Sequence, residues 1–463
     1  MRGGTSPWQR FELAWPGRLF PFQEAGIERL ISEPGVLLAD EMGLGKTVQA
    51  IGALRILKQR GRLQSALVIA PSGLVLQWRR QFRSWAPELR LSTVVGTAEE
   101  RLRAWRIPAE VLLVGYEALR SDLQLKGDWA PGNRRFDVVI ADEAQRLKNA
   151  GSELARAIKK LHRVRSWALT GTPLENRLDD LISILDFVAP GSFDPRHKAA
   201  GLRQLMAKVQ LRRRRRDVLP DLPPKFASTV HLDLGPEQRA AYERAETDGI
   251  VRLVALGREL RVTHILELIL RLKQICNFCP ESGRSTKLAD LRGRLLAITA
   301  GGEKALVFSQ FVDEPFGARR LARELAEFAP LLYTGPLDPA SRSAVLAEFE
   351  RDARRGVLIL SLRAGGVGLN LTSASHVFHF DRWWNPAVEA QAEDRAHRIG
   401  QRRAVHVQAY VVADSIEERI QEIINGKRAL FADIVDGVDA GILRRLDLDT
   451  LMSALRGDQT RLA

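Results

Sequence analysis

The sequence predicts an α/β protein built from two parallel-sheet domains, and three observations carry that expectation. Short, continuous apolar runs rich in Val, Ile and Leu alternate with helical stretches, the pattern of strands covered by helices on both faces. The pattern occurs twice, with a helical, charge-rich region over residues 174–303 between the two sets. Residues with chemistry to offer fall repeatedly where these runs end, and in parallel sheets the carboxyl ends of the strands carry the ligand-binding loops.

The first strand of the first set sits in GVLLADEMGLGKTVQAI, residues 35–51. The apolar run Val36 to Ala39 leads into a turn with Gly43 and Gly45, and Lys46-Thr47 opens an amphipathic helix. This order suits a polyphosphate. Glycines let backbone N–H groups approach the oxygens, and the helix N-terminus adds partial positive charge. Lys46 reaches the β- and γ-phosphates, and the Thr47 hydroxyl can ligate Mg²⁺. Asp40 stands where the generic phosphate-loop pattern has glycine. Upstream, Phe20, Phe22 and Gln23 open a helix, and the Gln23 amide offers a donor and an acceptor that an adenine edge could use.

The remaining strands of the first set are expected at Ala66–Pro71, Val111–Tyr116, Asp137–Ala141 and Trp167–Thr170. Asp142 and Glu143 follow the third of these. An acidic pair one sheet width from a phosphate loop can hold Mg²⁺ through Asp142 and polarise the attacking water through Glu143. In the intervening region, five consecutive arginines (Arg212–Arg216) precede the proline-containing segment DVLPDLPPK, and this setting points to a duplex-facing or inter-lobe role.

The second set is expected at Ala305–Ser309, Leu331–Thr334, Val357–Ser361, His376–Phe380 and Val405–Val412, and has no phosphate loop of its own. It carries QAEDRAHRIGQ (391–401) instead. On a helix, Gln391, Arg395 and Arg398 share one face. Two arginines reaching from one domain to a nucleotide held by another would act as arginine fingers.

The totals narrow the partners. The 463 residues suffice for two or three domains with their own cores. A net charge of +14 and a pI near 10.2 suggest a polyanionic partner, nucleic acid before anionic membrane. No apolar run reaches membrane-spanning length and the N-terminus lacks a signal-peptide core, so a cytoplasmic location is expected. The only two cysteines, Cys276 and Cys279, could form half a zinc site or a redox pair, but no second pair exists and His264 is the one histidine close by.

Taken together, DEMGLGKT (40–47), DEAQRLKN (142–149), LTGTPLENRLDDL (169–181), SLRAGGVGLNLTSASHVFHFDRWWNP (361–386) and QAEDRAHRIGQ are specific. From about Phe20 to about Ile420 the chain resembles the SWI/SNF-like ATPases, duplex-DNA translocases of helicase superfamily two. Asp40 is ordinary in that family, and Gln145 is a variant it also shows. The resemblance implies two RecA-like lobes, residues 1–222 and 223–463, with helical protrusions at their junction and ATP with Mg²⁺ in the cleft. It implies that Gln23 contacts adenine, that Gly43, Gly45, Lys46 and Thr47 cradle the phosphates, and that Gly366 and Gly368 line the cleft from the second lobe. Thr170-Gly171-Thr172 would couple hydrolysis to lobe movement. DNA would meet Ser72, Gln77, Trp78, Tyr116 and Thr172 on the first lobe, and Ser309, Gln310, Arg363, Trp384 and Asn385 on the second. The segment ICNFCP resembles a family stretch that usually reads ICNHP, which makes the cysteines structural.

The expected activity is therefore ATP-driven translocation along double-stranded DNA without strand separation, displacing or remodelling bound protein. A strand-separating helicase and a motor subunit activated or targeted by a protein partner are the alternatives. Without chromatin-reader or zinc-rich flanks the chain reads as a bare motor like prokaryotic, nucleoid-associated members. GILRRLDLDTLMSALRG (441–457) is expected to form an amphipathic helix that braces the lobes or awaits a partner.

Overall fold

Seven strands form the first sheet: β1 (Gly35–Leu38), β2 (Ala66–Ala70), β3 (Leu91–Val94), β4 (Val111–Gly115), β5 (Phe136–Asp142), β6 (Arg163–Leu169) and β7 (Gln210–Leu211). Their order is β3-β4-β2-β5-β6-β1-β7, and every pairing is parallel. A computed structural model describes residues 13, 15–147, 152–171, 178–192, 206–335, 337–362, 369–383, 386–422 and 455. The chain divides into two compact units, Met1–Pro220 and Asp221–Ala463. Each holds one parallel sheet flanked by helices.

In the first unit, every residue of β1, β2 and β4 is buried, which is why these segments read as unbroken apolar runs. Helices from both sides complete the core, with Trp105, Tyr116, Phe136 and Phe187 among its largest members. The order places β1 between β6 and β7 and sets β5 next to β6. The loops after β1, β5 and β6 therefore open on one edge of the sheet, side by side.

The second unit has β8 (Lys225–Leu232), β9 (Ala305–Ser309), β10 (Leu331–Tyr333), β11 (Val357–Ser361), β12 (His376–His379) and β13 (Val405–Val412). They run in the order β10-β11-β9-β12-β13-β8, again all parallel. Helices Pro236–Ala255 and Val262–Asn277 pack on the end of β13 and on Ile416 and Ile420 through Tyr242, Ile265 and Ile269. Cys276 and Cys279 are buried in that cluster, and burial pushes the Cys276 thiol up. No helix among the described residues is long and apolar enough to cross a membrane.

Residues 174–303 are not wholly helical, and this corrects the expectation. They contain β7 and β8, both edge strands. β8 presents mostly exposed residues in KFASTVHL, so it shows no apolar run, and β7 is only two residues long. The expected C-terminal helix lies outside the described residues apart from Leu455, which is buried against the second unit's helical cluster.

One fully buried ion pair ties the second unit together. Lys287 Nζ lies 2.7 Å from Glu417 Oε1 and donates to Asn277 Oδ1 at 3.1 Å, with Lys287, Glu417 and Asn277 all buried. Removing one partner strands the other charge, so Lys287→Met should destabilise the protein by about 3–5 kcal/mol. Pairing it with Glu417→Leu should recover most of that loss, and urea unfolding of both variants checks the difference.

Candidate nucleotide site

The loop between β1 and helix Lys46–Gln59 takes its shape from two glycines. Gly43 has φ +89° and Gly45, the helix N-cap, has φ +75°, a region where a side chain is strained. At Gly45 space is also closed, because a Cβ there would lie 2.5 Å from Gln23 Nε2. Lys46 Nζ donates to the Asp40 and Glu41 carbonyls at 2.7 and 3.4 Å, which folds the ammonium back over the loop it belongs to. The 14-residue helix points its N-terminus at the same space.

Gln23 is only 4% exposed and its amide is engaged at both ends. Its Oε1 accepts from Phe20 N at 3.1 Å and its Nε2 donates to Leu44 O at 3.2 Å. As placed, it braces the phosphate loop, where the sequence pointed to an adenine edge. The geometry is local: the helix from Pro21 to Ser32 puts Gln23 at its third position, where a side chain caps the preceding backbone N–H.

Asp40, the residue at odds with the generic loop, is fully buried and paired. Its Oδ1 accepts from Arg213 N and Nε at 3.1 and 2.8 Å, and its Oδ2 from Arg213 Nη2 at 2.5 Å and Gln49 Nε2 at 3.1 Å. Arg213 Nη1 also donates to Phe22 O. Two residues on, Arg215 N and Nη2 donate to the Glu41 carboxylate at 2.7 and 3.0 Å. Backbone pairing from β7 extends beneath them, with Ala39 N bonded to Leu211 O and Glu41 N to Arg213 O. The arginine run alternates, with Arg213 and Arg215 turned to the loop and Arg212, Arg214 and Arg216 exposed. A duplex-facing reading of the whole run is thereby corrected: two of its five arginines are committed to the phosphate loop.

Asp142 ends β5 and Glu143 follows with φ +50°, a left-handed conformation that a glutamate adopts only under constraint. Asp142 is 9% exposed, and its carboxylate accepts from Trp78 Nε1 at 2.7 Å and from Glu143 N at 3.0 Å. The Tyr116 hydroxyl donates to the Asp142 carbonyl at 2.8 Å. Burial, and then the neighbouring Glu143 charge, push the Asp142 carboxyl up to about 7, against the pull of Trp78 and Lys46. Gln145 Nε2 donates to Glu143 Oε2 at 2.6 Å, and its Oε1 accepts from Thr170 Oγ1 at 3.1 Å. This chain links the end of β6 to Glu143. Gly171 completes the enclosure, since a Cβ there would sit 3.2 Å from Lys46 Nζ.

These residues fit a magnesium-bound polyphosphate. Two adjacent carboxylates, one of them buried and hungry for a proton, form a donor set suited to a hard divalent cation. Thr47 and Asp142 would hold the ion, and it would supply charge neutralisation on the phosphate oxygens. Because a ligating carboxylate must be ionised, magnesium-nucleotide affinity should fall as pH drops through about 7. Trp78→Phe removes a bond that favours the ionised form and should move that midpoint upward; calorimetric titrations from about pH 5.5 to about pH 8.5 check it.

The residues expected at DNA separate into three groups. Ser72 and Gln77 lie at and near the start of helix Ser72–Trp85, with Ser72 exposed and its Oγ donating to Glu117 Oε2 at 3.1 Å. Trp78, Tyr116 and Ser309 are buried and their side chains are turned inward, the first two to Asp142 and the third to Asp381 at 2.5 Å. For those three a side-chain contact with DNA is corrected to a supporting role. Gln310 N also bonds Asp381, at 2.7 Å. Thr172, Arg363, Gly366, Gly368, Trp384 and Asn385 lie outside the described residues.

Arg395 and Arg398 do not share a helical face. Helix Pro386–Glu393 stops short of both, and they occupy the turns that follow. Leu371 N bonds to Arg395 O at 2.9 Å, and Arg398 Nη1 donates to Leu369 O at 3.1 Å, so the segment is tied to the chain before β12. Arg395 is buried within the second unit.

Comparison with known proteins identifies the family. A family described as the SNF2-related domain matches residues 23–280, and the helicase conserved C-terminal domain matches residues 286–400. The Bacillus subtilis (strain 168) protein YwqA, provisionally named an ATP-dependent helicase/translocase, is 35% identical over 466 residues, covering 93% of this chain and 50% of its own length. An uncharacterized ATP-dependent helicase of Mycoplasma genitalium is 34% identical over 416 residues, covering 86% of this chain and 40% of its own. This chain thus spans half or less of the length of these relatives. Among solved structures, the Sulfolobus solfataricus SWI2/SNF2 ATPase core in complex with dsDNA is 29% identical, covers 95% of this chain and 97% of its own, and superposes with a TM-score of 0.44. With the first family match extending over more than half of its residues, the chain belongs to the SNF2-related family.

Proposed function

We propose that the chain is an ATP-driven motor that moves along double-stranded DNA without separating its strands. The observation that carries the chemical half is the joining of a glycine-shaped loop, Lys46 and the Asp142–Glu143 pair at one sheet edge. Lys46 would leave the loop carbonyls for the β- and γ-phosphates, and the glycine-rich turn would offer its N–H groups. Glu143, held by Gln145, would orient the attacking water and take its proton. Arg395 and Arg398 would stabilise charge on the transferred phosphoryl group. Two domains, residues 1–222 and 223–463, would divide these tasks.

The DNA half rests on family membership and on the excess of 14 positive charges, which favours a polyanion without sequence preference. Exposed Ser72 and half-buried Gln77 and Gln310 would meet phosphate, together with Thr172, Arg363, Trp384 and Asn385. Gly366 and Gly368 would admit the nucleotide from the second unit. On such a substrate the motor would work at the nucleoid, and a protein partner would be what activates or targets it there. A triplex-displacement assay tests the reading: the protein should strip a third strand from duplex DNA in the presence of ATP and leave a forked duplex intact. Unwinding of the fork would replace this reading with that of a helicase.

A further inference from the structure

The connector between the two units is gripped at one end by two residues of the phosphate loop and at the other by two residues that flank Arg395. It leaves the first sheet from edge strand β7 and enters the second as edge strand β8, so residues 212–224 link the two sheets along the chain. At its upstream end, within the first unit, Arg213 holds Asp40 and Arg215 holds Glu41, and Arg213 O accepts from Glu41 N at 2.9 Å. Both acidic residues belong to the phosphate loop. At its downstream end, within the second unit, Lys225 Nζ lies 2.7 Å from Glu393 Oε2 and Pro223 O is 2.7 Å from His397 Nε2. Glu393 and His397 flank Arg395. Lys225 helps to hold the Glu393 carboxyl low, at about 2, although burial alone would raise it.

Between the two grips the chain forms one hydrogen-bonded helical turn, Arg215–Val218, buries Leu219 and then turns at Pro220. A closed helical turn followed by a proline with fixed φ makes this stretch a short restrained spacer and not a slack tether. Polar grips of this kind are also specific. Lys225 and Arg215 are largely withdrawn from solvent, and each faces one carboxylate at hydrogen-bonding distance.

We infer that residues 212–225 act as a strap that passes movement of the phosphate loop to the Arg395–Arg398 segment, a positioning role that rests on the ATPase reading above. Nucleotide binding draws Lys46 away from the Asp40 and Glu41 carbonyls, which shifts the loop on which the upstream grip is fixed. The restrained spacer carries the shift to Pro223 and Lys225, and through them to the turns that bear both arginines.

The test is a double-mutant cycle across the connector in the full chain, with Arg215→Gln at one end, Lys225→Gln at the other, and triplex displacement per ATP hydrolysed as the readout. If the strap works as one piece, releasing either end slackens it. Each single variant should lower coupling about tenfold and the double variant no more than about twofold further. Lys225→Arg, which keeps the charge, should restore it. Independent local roles would instead give multiplying losses of about a hundredfold, and that outcome, or unchanged coupling in the single variants, overturns the inference. Melting temperatures separate misfolding from slackening.

A second measurement needs no DNA and distinguishes failure of the strap from failure of the motor reading. On adding a non-hydrolysable ATP analogue, amide hydrogen exchange should change at residues 39–41 and also at 225–226 in the wild-type chain. In Lys225→Gln it should change only at 39–41. The same response at both ends in both proteins would contradict the strap, whatever the protein does on DNA.

Discussion

Glu143→Gln is expected to bind ATP as the wild type does and to hydrolyse it about a thousandfold more slowly, the usual scale for losing a positioned general base. Glutamine keeps the size of glutamate and can still meet Gln145 Nε2 through its own carbonyl oxygen, so the local bonding survives. The left-handed backbone at this position is imposed by its surroundings: Glu143 N bonds Asp142 Oδ1, and Arg146 N bonds Glu143 O. The substitution therefore isolates the chemistry. Fluorescent-nucleotide binding together with single-turnover hydrolysis checks both halves. A Gln145→Ala variant should show a smaller loss, because it frees the Glu143 carboxylate without removing it.

Arg213→Ala should destabilise the first unit by about 3–5 kcal/mol, a large share of the roughly 5–15 kcal/mol that holds a typical domain together. The reason is Asp40. Its carboxylate is fully buried, and without Arg213 it keeps, among the described residues, the Gln49 amide as a side-chain donor but loses its bidentate cation. Desolvation without a counter-charge dominates there, because the pair gains its energy only while both members are present. Arg213 also lies over the Phe22 ring, 5.3 Å from its centroid, and donates to the Phe22 carbonyl, so truncation loosens the helix that carries Gln23. Asp40→Gly would restore the generic loop pattern, yet it should destabilise as well, since it leaves Arg213 without its carboxylate. Urea unfolding of the three proteins measures these differences, and a midpoint unchanged in Arg213→Ala would contradict the brace.

The strands were legible in the sequence wherever both faces are buried. Val111 to Gly115 is apolar at every position because helices cover it on both sides, and the same holds for Ala66 to Ala70. Three of the four edge strands escaped: β3 alternates buried and half-buried residues, β8 has an exposed face, and β7 exists only because two residues pair with β1, whereas the apolar edge strand β10 was legible. The phosphate loop and the acidic pair were legible because backbone conformation and short-range order define them. Their supports were not. Trp78 and Asp142 are 64 residues apart, and Arg213 and Asp40 are 173 apart, so no local pattern announces either pairing. An inward-facing aromatic and a DNA-facing one read alike until the fold shows which way they turn.

The two finger arginines show a different limit. The spacing of Gln391, Arg395 and Arg398 suits one helical face, but the helix ends at Glu393, where bonds from Leu371 and to Leu369 hold the following turns. Periodicity extends a helix past the point at which tertiary hydrogen bonds stop it. The residue types survive this correction, whereas the geometry inferred for them does not.

Steady-state ATP hydrolysis by the full chain, measured with no nucleic acid, single-stranded DNA, duplex DNA and duplex RNA beside a Lys46→Ala control, tests the central reading most directly. Stimulation by duplex DNA that is lost in Lys46→Ala is the predicted result. Turnover indifferent to duplex DNA, or stimulated only by single strands or RNA, would contradict it.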